Sequence, residues 1–205
     1  REVGHENPTL GNSTSHPRNS RILLAKKPET SDTAPDLAIT ALYTSAVWRW
    51  AKLHHADLYR TSAARVVFWV VNFFLLITRL FKWKLRSLRH GLAHRHVLID
   101  RLVTRFRTPN TQVVELAAGL SRRGAAFSDD PTLPYIEIDL PPVIEYKEQL
   151  LERTELGREV KARDHLQRIC ADLEKTRLAD LPIERESPAI VIAEGLLMYL
   201  EREAQ

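Results

Sequence analysis

The chain has 205 residues, 44% of them hydrophobic and 27% charged, with 7 glycines, 11 prolines and one cysteine. That is enough apolar material for a packed domain, and too little glycine for a collagen-like or turn-rich all-β chain. A lone Cys170 excludes an internal disulfide and fits a reducing, cytoplasmic setting; the plainest reading of that thiol is a small buried hydrophobe in a strand. Charge is unevenly spread under the net +4: residues 1–110 hold 18 Lys and Arg against 7 Asp and Glu, and residues 111–205 hold 12 against 19. A basic half can meet nucleic acid or an anionic membrane, but two helical layers with solvated faces produce the same split.

Residues 1–35 are polar and punctuated by Gly4, Pro8, Gly11, Pro17, Pro28 and Pro35, which predicts a loosely ordered arm. No basic-then-apolar leader pattern is present in it. Helical spacing starts at Asp36, with Leu37, Leu42, Val47, Trp48, Ala51 and Leu53, and is expected to fade near residues 59–61. Residues 66–77 are the most apolar stretch, bounded by Arg65 and Arg79 and interrupted by Asn72. They fall short of the about 20 residues a spanning helix needs, so a buried or interfacial helix is expected. Residues 79–90 alternate basic with apolar and aromatic side chains. Peripheral membrane contact through residues 65–90 would suit that pattern, as would a nucleic-acid backbone. The favoured reading is the exposed side of a helical cap with snorkelling basic side chains, and nucleic acid is the weaker partner. Gly91 is expected to break the run before a third helix over 94–106, with Ile99, Leu102, Val103 and Phe106 on one face. The helical cap thus spans 36–109.

From residue 110 the pattern changes to strand, helix, strand. Strands are expected at 112–117, 135–139, 165–171 and 189–193, the last apolar throughout and so buried on both faces. Pro141-Pro142 opens a helix that buries Val143, Ile144, Leu150 and Leu151. Residues 173–181 are a connector, and another helix starts at Gly195. Such alternation predicts an α/β fold with a parallel sheet and right-handed crossovers. Ligands in such sheets sit beyond the carboxyl ends of the strands. Residues 115–119, Asp139, Asp172 and Glu194 occupy those ends. An acid at the end of the second strand, about twenty residues past the first turn, suits ribose hydroxyls. That reading covers nicotinamide and S-adenosylmethionine binders alike.

Five segments narrow it: Arg-His-Val-Leu-Ile-Asp (95–100), Val-Val-Glu-Leu-Ala-Ala-Gly-Leu-Ser-Arg-Arg-Gly (113–124), Tyr-Ile-Glu-Ile-Asp-Leu-Pro-Pro-Val-Ile-Glu-Tyr-Lys (135–147), Ala-Asp-Leu (171–173) and Ile-Ala-Glu-Gly-Leu-Leu-Met-Tyr-Leu (192–200). In this order, over roughly residues 90–201, they resemble the leucine carboxyl methyltransferase family, including its bacterial polyketide O-methyltransferase-like members. The resemblance implies a Rossmann-like S-adenosylmethionine-dependent methyltransferase sheet behind an N-terminal helical cap. About four parallel strands are readable against the seven of the family, so residues 110–205 form the N-terminal part of that domain. It implies S-adenosyl-L-methionine as cofactor and methyl transfer to a carboxylate or hydroxyl of a small-molecule or peptide acceptor. No metal is indicated by the residues themselves, since the His94 and His96 pair has no third ligand suggested beside it.

Residue by residue, the resemblance implies that Arg95 pairs with the methionine carboxylate of the cofactor. Glu115, Ala117 and Gly119 form the turn beneath it. Asp139 takes the ribose hydroxyls, and Asp172 and Leu173 flank the adenine. Glu194 lines the methionine end and Tyr199 closes over it. Ala117 departs from the glycine common there, so the turn is expected to use an ordinary backbone conformation or to bind more weakly. His94, His96 and His165 are available as bases, but no spacing singles one out, and no catalytic residue is assigned. Two other readings stay open: a basic membrane- or nucleic-acid-associated interaction protein using residues 79–107, and a non-catalytic cofactor-binding remnant.

Overall fold

The computed structural model describes residues 39–80 and 88–196, with residues 78–80 as backbone only. Three helices come first: α1 (Ile39–Trp50), α2 (Ser62–Leu80) and α3 (Leu88–Phe106). Then follow β1 (Gln112–Leu116), α4 (Arg123–Phe127), β2 (Tyr135–Asp139), α5 (Pro141–Glu152), α6 (Glu155–Lys161), β3 (Leu166–Cys170) and β4 (Ala189–Ala193). The four strands pair in parallel in the order β3-β2-β1-β4. The chain walks outward from β1 through β2 to β3 and then returns to the other side of β1. That reversal places a crevice beyond the carboxyl ends of β1 and β4, where open α/β sheets bind ligands.

Register gives the two sheet faces different chemistry. Glu115 lies beside Glu137 across β1 and β2, and Glu137 lies beside Arg168 on β3. Because side chains alternate along a strand, Val113, Glu115, Tyr135 and Glu137 share one face. Val113 and Tyr135 pack there against Leu150, Leu151 and Leu166, and against Leu42, Leu58, Tyr59 and Val103 from the N-terminal part. The other face carries Val114, Leu116, Ile136 and Ile138, covered by Ala171, Leu181 and Leu196. A third cluster around Tyr43, Val47 and Ala93 joins the three N-terminal helices.

The parallel α/β architecture is as expected, and α5 opens at Pro141-Pro142 from an extended Leu140. Several details differ. α1 stops at Trp50, not near residue 59, because Lys52 and His55 both take left-handed backbone conformations. These turn the chain into a short 3₁₀ turn, Ala56–Tyr59. α2 begins earlier than expected, at Ser62, where Thr61 Oγ1 accepts from the Ala64 N–H at 3.0 Å. Its apolar residues are largely not buried: Val66, Trp69, Val70, Phe73 and Phe74 lie exposed, Trp69 at 68%. Their three- and four-residue spacing puts them on one outer face, while Val67, Phe68 and Val71 pack inward. No described helix is long and apolar enough to cross a membrane.

Gly91 does not interrupt α3. Nothing lies within 4 Å of the position its Cβ would take, so the helix runs through it at the about 1 kcal/mol that a helical glycine costs. The buried residues of α3 are Ala93, His96 and Val103, while Leu102 and Phe106 are exposed. The expected apolar face is rotated because polar His96 belongs to the inward stripe. Cys170 is exposed rather than buried, since it ends β3 at an edge of the sheet. On β4 only Ile192 is buried and Val191 is 54% exposed, contrary to the expectation of burial on both faces. Among the described residues β4 is the opposite edge, and only the face shared with Glu115 is covered.

Candidate functional site

A cavity of about 610 Å³ opens beyond the ends of β1, β2 and β4. Its floor is the turn after β1, its walls are Asp139, Leu140, Val143 and residues 194–196, and α1 and α3 roof it with Tyr43, Thr44, Trp48, Leu92 and Arg95. Hydrogen bonds shape the floor. The Ala118 N–H donates to the Ile138 carbonyl at 3.1 Å and the Ser121 N–H to the Ala118 carbonyl at 2.8 Å. Ala117 and Gly119 both sit at φ +49°. Ala117 therefore adopts the left-handed conformation that its side chain disfavours, by roughly 1–2 kcal/mol, and not the ordinary one expected.

Asp139 is tied into that turn. Its Oδ2 accepts from the Gly119 N–H at 2.6 Å and its Oδ1 from the Leu140 N–H at 2.7 Å. Burial pushes the Asp139 carboxyl up, and the two backbone donors oppose the shift.

Beside the floor lies a buried charge network centred on Arg123, the first residue of α4. Its Nε donates to Asp100 Oδ1 and its Nη1 to Glu115 Oε1, both at 2.8 Å. Its Nη2 meets Glu194 Oε2 at 2.5 Å and donates to the His96 carbonyl at 3.3 Å. Burial alone would lower the Arg123 pKa, but Glu115, Glu194 and Asp100 outweigh it and hold the guanidinium above its usual range. The second oxygen of Glu115 accepts from the Tyr135 hydroxyl at 2.9 Å. Asp100 also binds Arg122.

Glu194, at the turn after β4, has three cationic or cation-capable neighbours. Arg95 Nε lies 2.7 Å from its Oε1, and His96 Nδ1 lies 3.2 Å from the Oε2 that Arg123 also holds. Burial would raise its pKa, but His96 and Arg123 prevail and bring it down to about 2. His96 is fully buried against the Trp48 ring, with centroids 4.3 Å apart. Burial pushes its pKa below the usual value, more than the Glu194 hydrogen bond raises it.

Of the residues expected at the site, Arg95, Glu115, Ala117, Gly119, Asp139 and Glu194 all line this cavity. Asp172 and Leu173 do not. Asp172 pairs with Lys175 at 2.7 Å and accepts from the Glu174 N–H at 3.1 Å in a surface turn. Leu173 packs on the apolar sheet face. Both follow β3, one strand further from the crevice. Tyr199 lies outside the described residues. Of the three histidines, His94 is exposed, and His165 Nε2 lies 2.8 Å from the Ser128 carbonyl, away from the cavity.

Arg123, Asp100, Tyr43 and Trp48 escaped sequence reasoning. One signal was available for Arg123. A lone glutamate inside an apolar strand needs a cation, and an arginine at a helix start opposes the helix dipole unless a buried anion holds it.

The sequence profile of the leucine carboxyl methyltransferase family matches residues 41–205. Over 97 residues the chain is 40% identical to a provisionally named S-adenosyl-L-methionine-dependent methyltransferase of Mycolicibacterium paratuberculosis, a match covering 46% of this chain and 30% of that protein. A Mycobacterium marinum protein of the same provisional name is 38% identical over 97 residues, with the same coverage. The tetracenomycin polyketide synthesis O-methyltransferase TcmP of Streptomyces glaucescens is 34% identical over 96 residues, covering 47% of this chain and 32% of TcmP. The chain spans less than a third of the length of these curated relatives. With its parallel sheet, its crevice at the strand reversal and a family match over most of its length, this chain belongs to the leucine carboxyl methyltransferase family.

Proposed function

We propose that this chain is the cofactor-binding part of an S-adenosyl-L-methionine-dependent O-methyltransferase that acts on a carboxylate or hydroxyl of a small-molecule or peptide acceptor. The observation that carries the reading is Asp139: a buried carboxylate at the end of β2, tied to the Gly119 turn, on the wall of the crevice cavity. The cavity is in the usual size range for such ligands, about 300–1,000 Å³.

The residues present fit the cofactor. Each Asp139 oxygen accepts one backbone N–H and keeps acceptor capacity for a ribose hydroxyl. Arg95 spends its Nε on Glu194, which leaves its two terminal nitrogens for the methionine carboxylate. Glu194, ionised throughout the neutral range, lines the methionine end, and Ala117 and Gly119 support it from below. Asp172 and Leu173 keep their place beside the adenine in this reading. The Ala171 N–H, which donates to the Asp139 carbonyl at 2.9 Å, ties their strand end to that of Asp139. Tyr199 is assigned the closing role on family grounds alone.

When bound, the cofactor supplies an electrophilic methyl group on a sulfonium. The chain's own work is to hold donor and acceptor in line and to keep water out, the latter through the Tyr43, Trp48 and Leu92 roof. A carboxylate acceptor, with a pKa of about 4, needs no base at neutral pH. A hydroxyl acceptor needs one, and none is assigned. The name of TcmP favours O-methylation. Calorimetry with S-adenosylhomocysteine tests the reading: micromolar binding that disappears in Asp139→Ala is expected, and no binding by the folded wild-type chain would sink it.

One observation favours a second reading, contact with an anionic membrane surface through residues 65–90. The outer face of α2 exposes Val66, Trp69, Phe73 and Phe74 next to Arg65. Sedimentation with phosphatidylserine vesicles, weakened by salt and by Trp69→Ala, is the expected result. Equal recovery with neutral vesicles would refute it.

A further inference from the structure

We propose that His54, His55 and Asp129 form a binding site for a divalent transition metal of the Zn(II) type. The two histidines lie in the loop after α1, and Asp129 lies just past α4. His54 Nε2 is 2.8 Å from Asp129 Oδ2, and His55 Nε2 is 2.9 Å from the same oxygen and 3.0 Å from Oδ1. Among the described residues this is the one group of three or more His, Cys, Asp or Glu whose ligand atoms converge, all within 4.8 Å of one another.

The backbone is bent to make this possible. Consecutive side chains in an extended segment point to opposite sides, yet the rings of His54 and His55 lie 3.9 Å apart. The left-handed conformation of His55, φ 62°, folds its ring back beside its neighbour. A histidine there carries backbone strain, and such strain concentrates at functional sites. Arg163 Nη2 holds Asp129 Oδ1 at 2.8 Å from the far side, which orients the carboxylate and leaves Oδ2 to both imidazoles. Its charge also works against a cation, so affinity should be moderate.

Burial is graded as in an open metal site. The His55 side chain is 5% exposed, Asp129 40% and His54 68%, so a water can complete the coordination. Ligand atoms around Zn(II), bonded at about 2.0–2.1 Å, sit roughly 3.3 Å apart in a tetrahedron. Each imidazole Nε2, now 2.8 or 2.9 Å from Asp129 Oδ2, need draw back from that oxygen by only about half an ångström. Two imidazoles and one carboxylate favour Zn(II), Co(II) or Ni(II) over the oxygen-seeking Ca(II) and Mg(II).

These residues do not line the crevice cavity, so the site is separate from the proposed cofactor pocket. It is also separate from the His94 and His96 pair, which the sequence offered without a third ligand. Arg122 connects it to the buried network: its Nη1 donates to the His54 carbonyl at 3.2 Å while its Nη2 binds Asp100. A metal here would brace the loop after α1 against the start of the β/α half. The alternative is a plain hydrogen-bond clasp, in which both Nε2 atoms carry protons for Asp129.

Titration of tag-free protein with ZnCl₂ and CoCl₂ separates the two. Metal binding predicts one equivalent bound, visible absorption bands of four-coordinate Co(II), and a higher melting temperature with Zn(II). It also predicts at least tenfold weaker binding in His54→Ala and in Asp129→Asn. His54 is exposed, so His54→Ala should fold normally, as circular dichroism would report. Wild-type binding no tighter than that of His54→Ala and Asp129→Asn, or Co(II) spectra unchanged from the free ion, would overturn the proposal and leave the clasp.

Discussion

The two faces of β1 and β2 solve burial in opposite ways. Val114, Leu116, Ile136 and Ile138 fill one face with hydrocarbon alone. The other alternates Val113 and Tyr135 with two buried carboxylates, Glu115 and Glu137. Each carboxylate has its own cation. Glu115 has Arg123, and Glu137 has the fully buried Lys147 at 2.7 Å, with Arg168 Nε at 3.3 Å from its second oxygen. The Lys147 ammonium also lies 5.1 Å from the centre of the Tyr59 ring. Even Gly124 belongs to this arrangement, since a Cβ there would fall 2.2 Å from Glu137 Oε1. Apolar burial stabilises at about 25 cal/mol per Å², whereas an intact buried ion pair is often no better than hydrocarbon of the same volume. The charged face therefore contributes placement rather than net stability. Through Arg123 it holds Glu194, and through Glu194 it holds Arg95, at the edge of the cavity.

The charged face should break hardest. Arg123→Met strands Glu115, Asp100 and Glu194 without their shared cation and should cost about 3–5 kcal/mol in urea unfolding. A loss under about 1 kcal/mol would mean that the network tolerates the gap. The hydrocarbon face should come next: Ile136→Ala should cost about 3 kcal/mol yet leave S-adenosylhomocysteine affinity within twofold. A large affinity loss there would erase the functional distinction between the faces.

Acid should act on the charged face alone. His96 has a folded pKa below its ordinary 6.5, so the unfolded chain takes the proton first and stability starts to fall below that pH. Glu194 is depressed from 4.5 to about 2. Its contribution, about 3 kcal/mol at most, is present in full above pH 4.5 and is lost as pH falls toward 2. Urea midpoints below pH 4.5 should drop less steeply in Glu194→Gln than in the wild type, and parallel curves would exclude this assignment. The smallest effect has the opposite sign. Ala117→Gly relieves the left-handed alanine at the end of β1 and should raise stability by up to about 1 kcal/mol. A lower melting temperature would show that the turn carries no such strain.

Much of the crevice was legible because strand ends are legible. The second and fourth strands fall on the predicted residues, and Gly119, Asp139 and Glu194 follow from where strands stop. What was hidden depends on neighbours that a local pattern does not contain. A strand of Ala, Ile and Val reads as central, yet β4 is an edge among the described residues. Leu102 and Phe106 read as the inner face of α3, yet polar His96 takes that place, with its Nδ1 held by Glu194 and its ring packed against Trp48. The left-handed Lys52 and His55 carry no glycine to announce the turn that ends α1. Asp172 ends a strand like Asp139, but it is not among the residues lining the cavity, because its strand lies one place further from the reversal.

The pairing of Glu115 beside Glu137 also bears on how the sheet finds its alignment. Hydrocarbon residues on both sides of a strand would tolerate a one-residue slip, since Val and Ile exchange places at little cost. Such a slip turns every side chain to the opposite face. Glu115 or Glu137 would then enter the Leu116, Ile138 and Leu181 cluster, away from Arg123 and Lys147, as an unpaired buried charge. The two carboxylates act as a key that fits one alignment of the central strands, and that alignment is the one that brings Asp139 to Gly119.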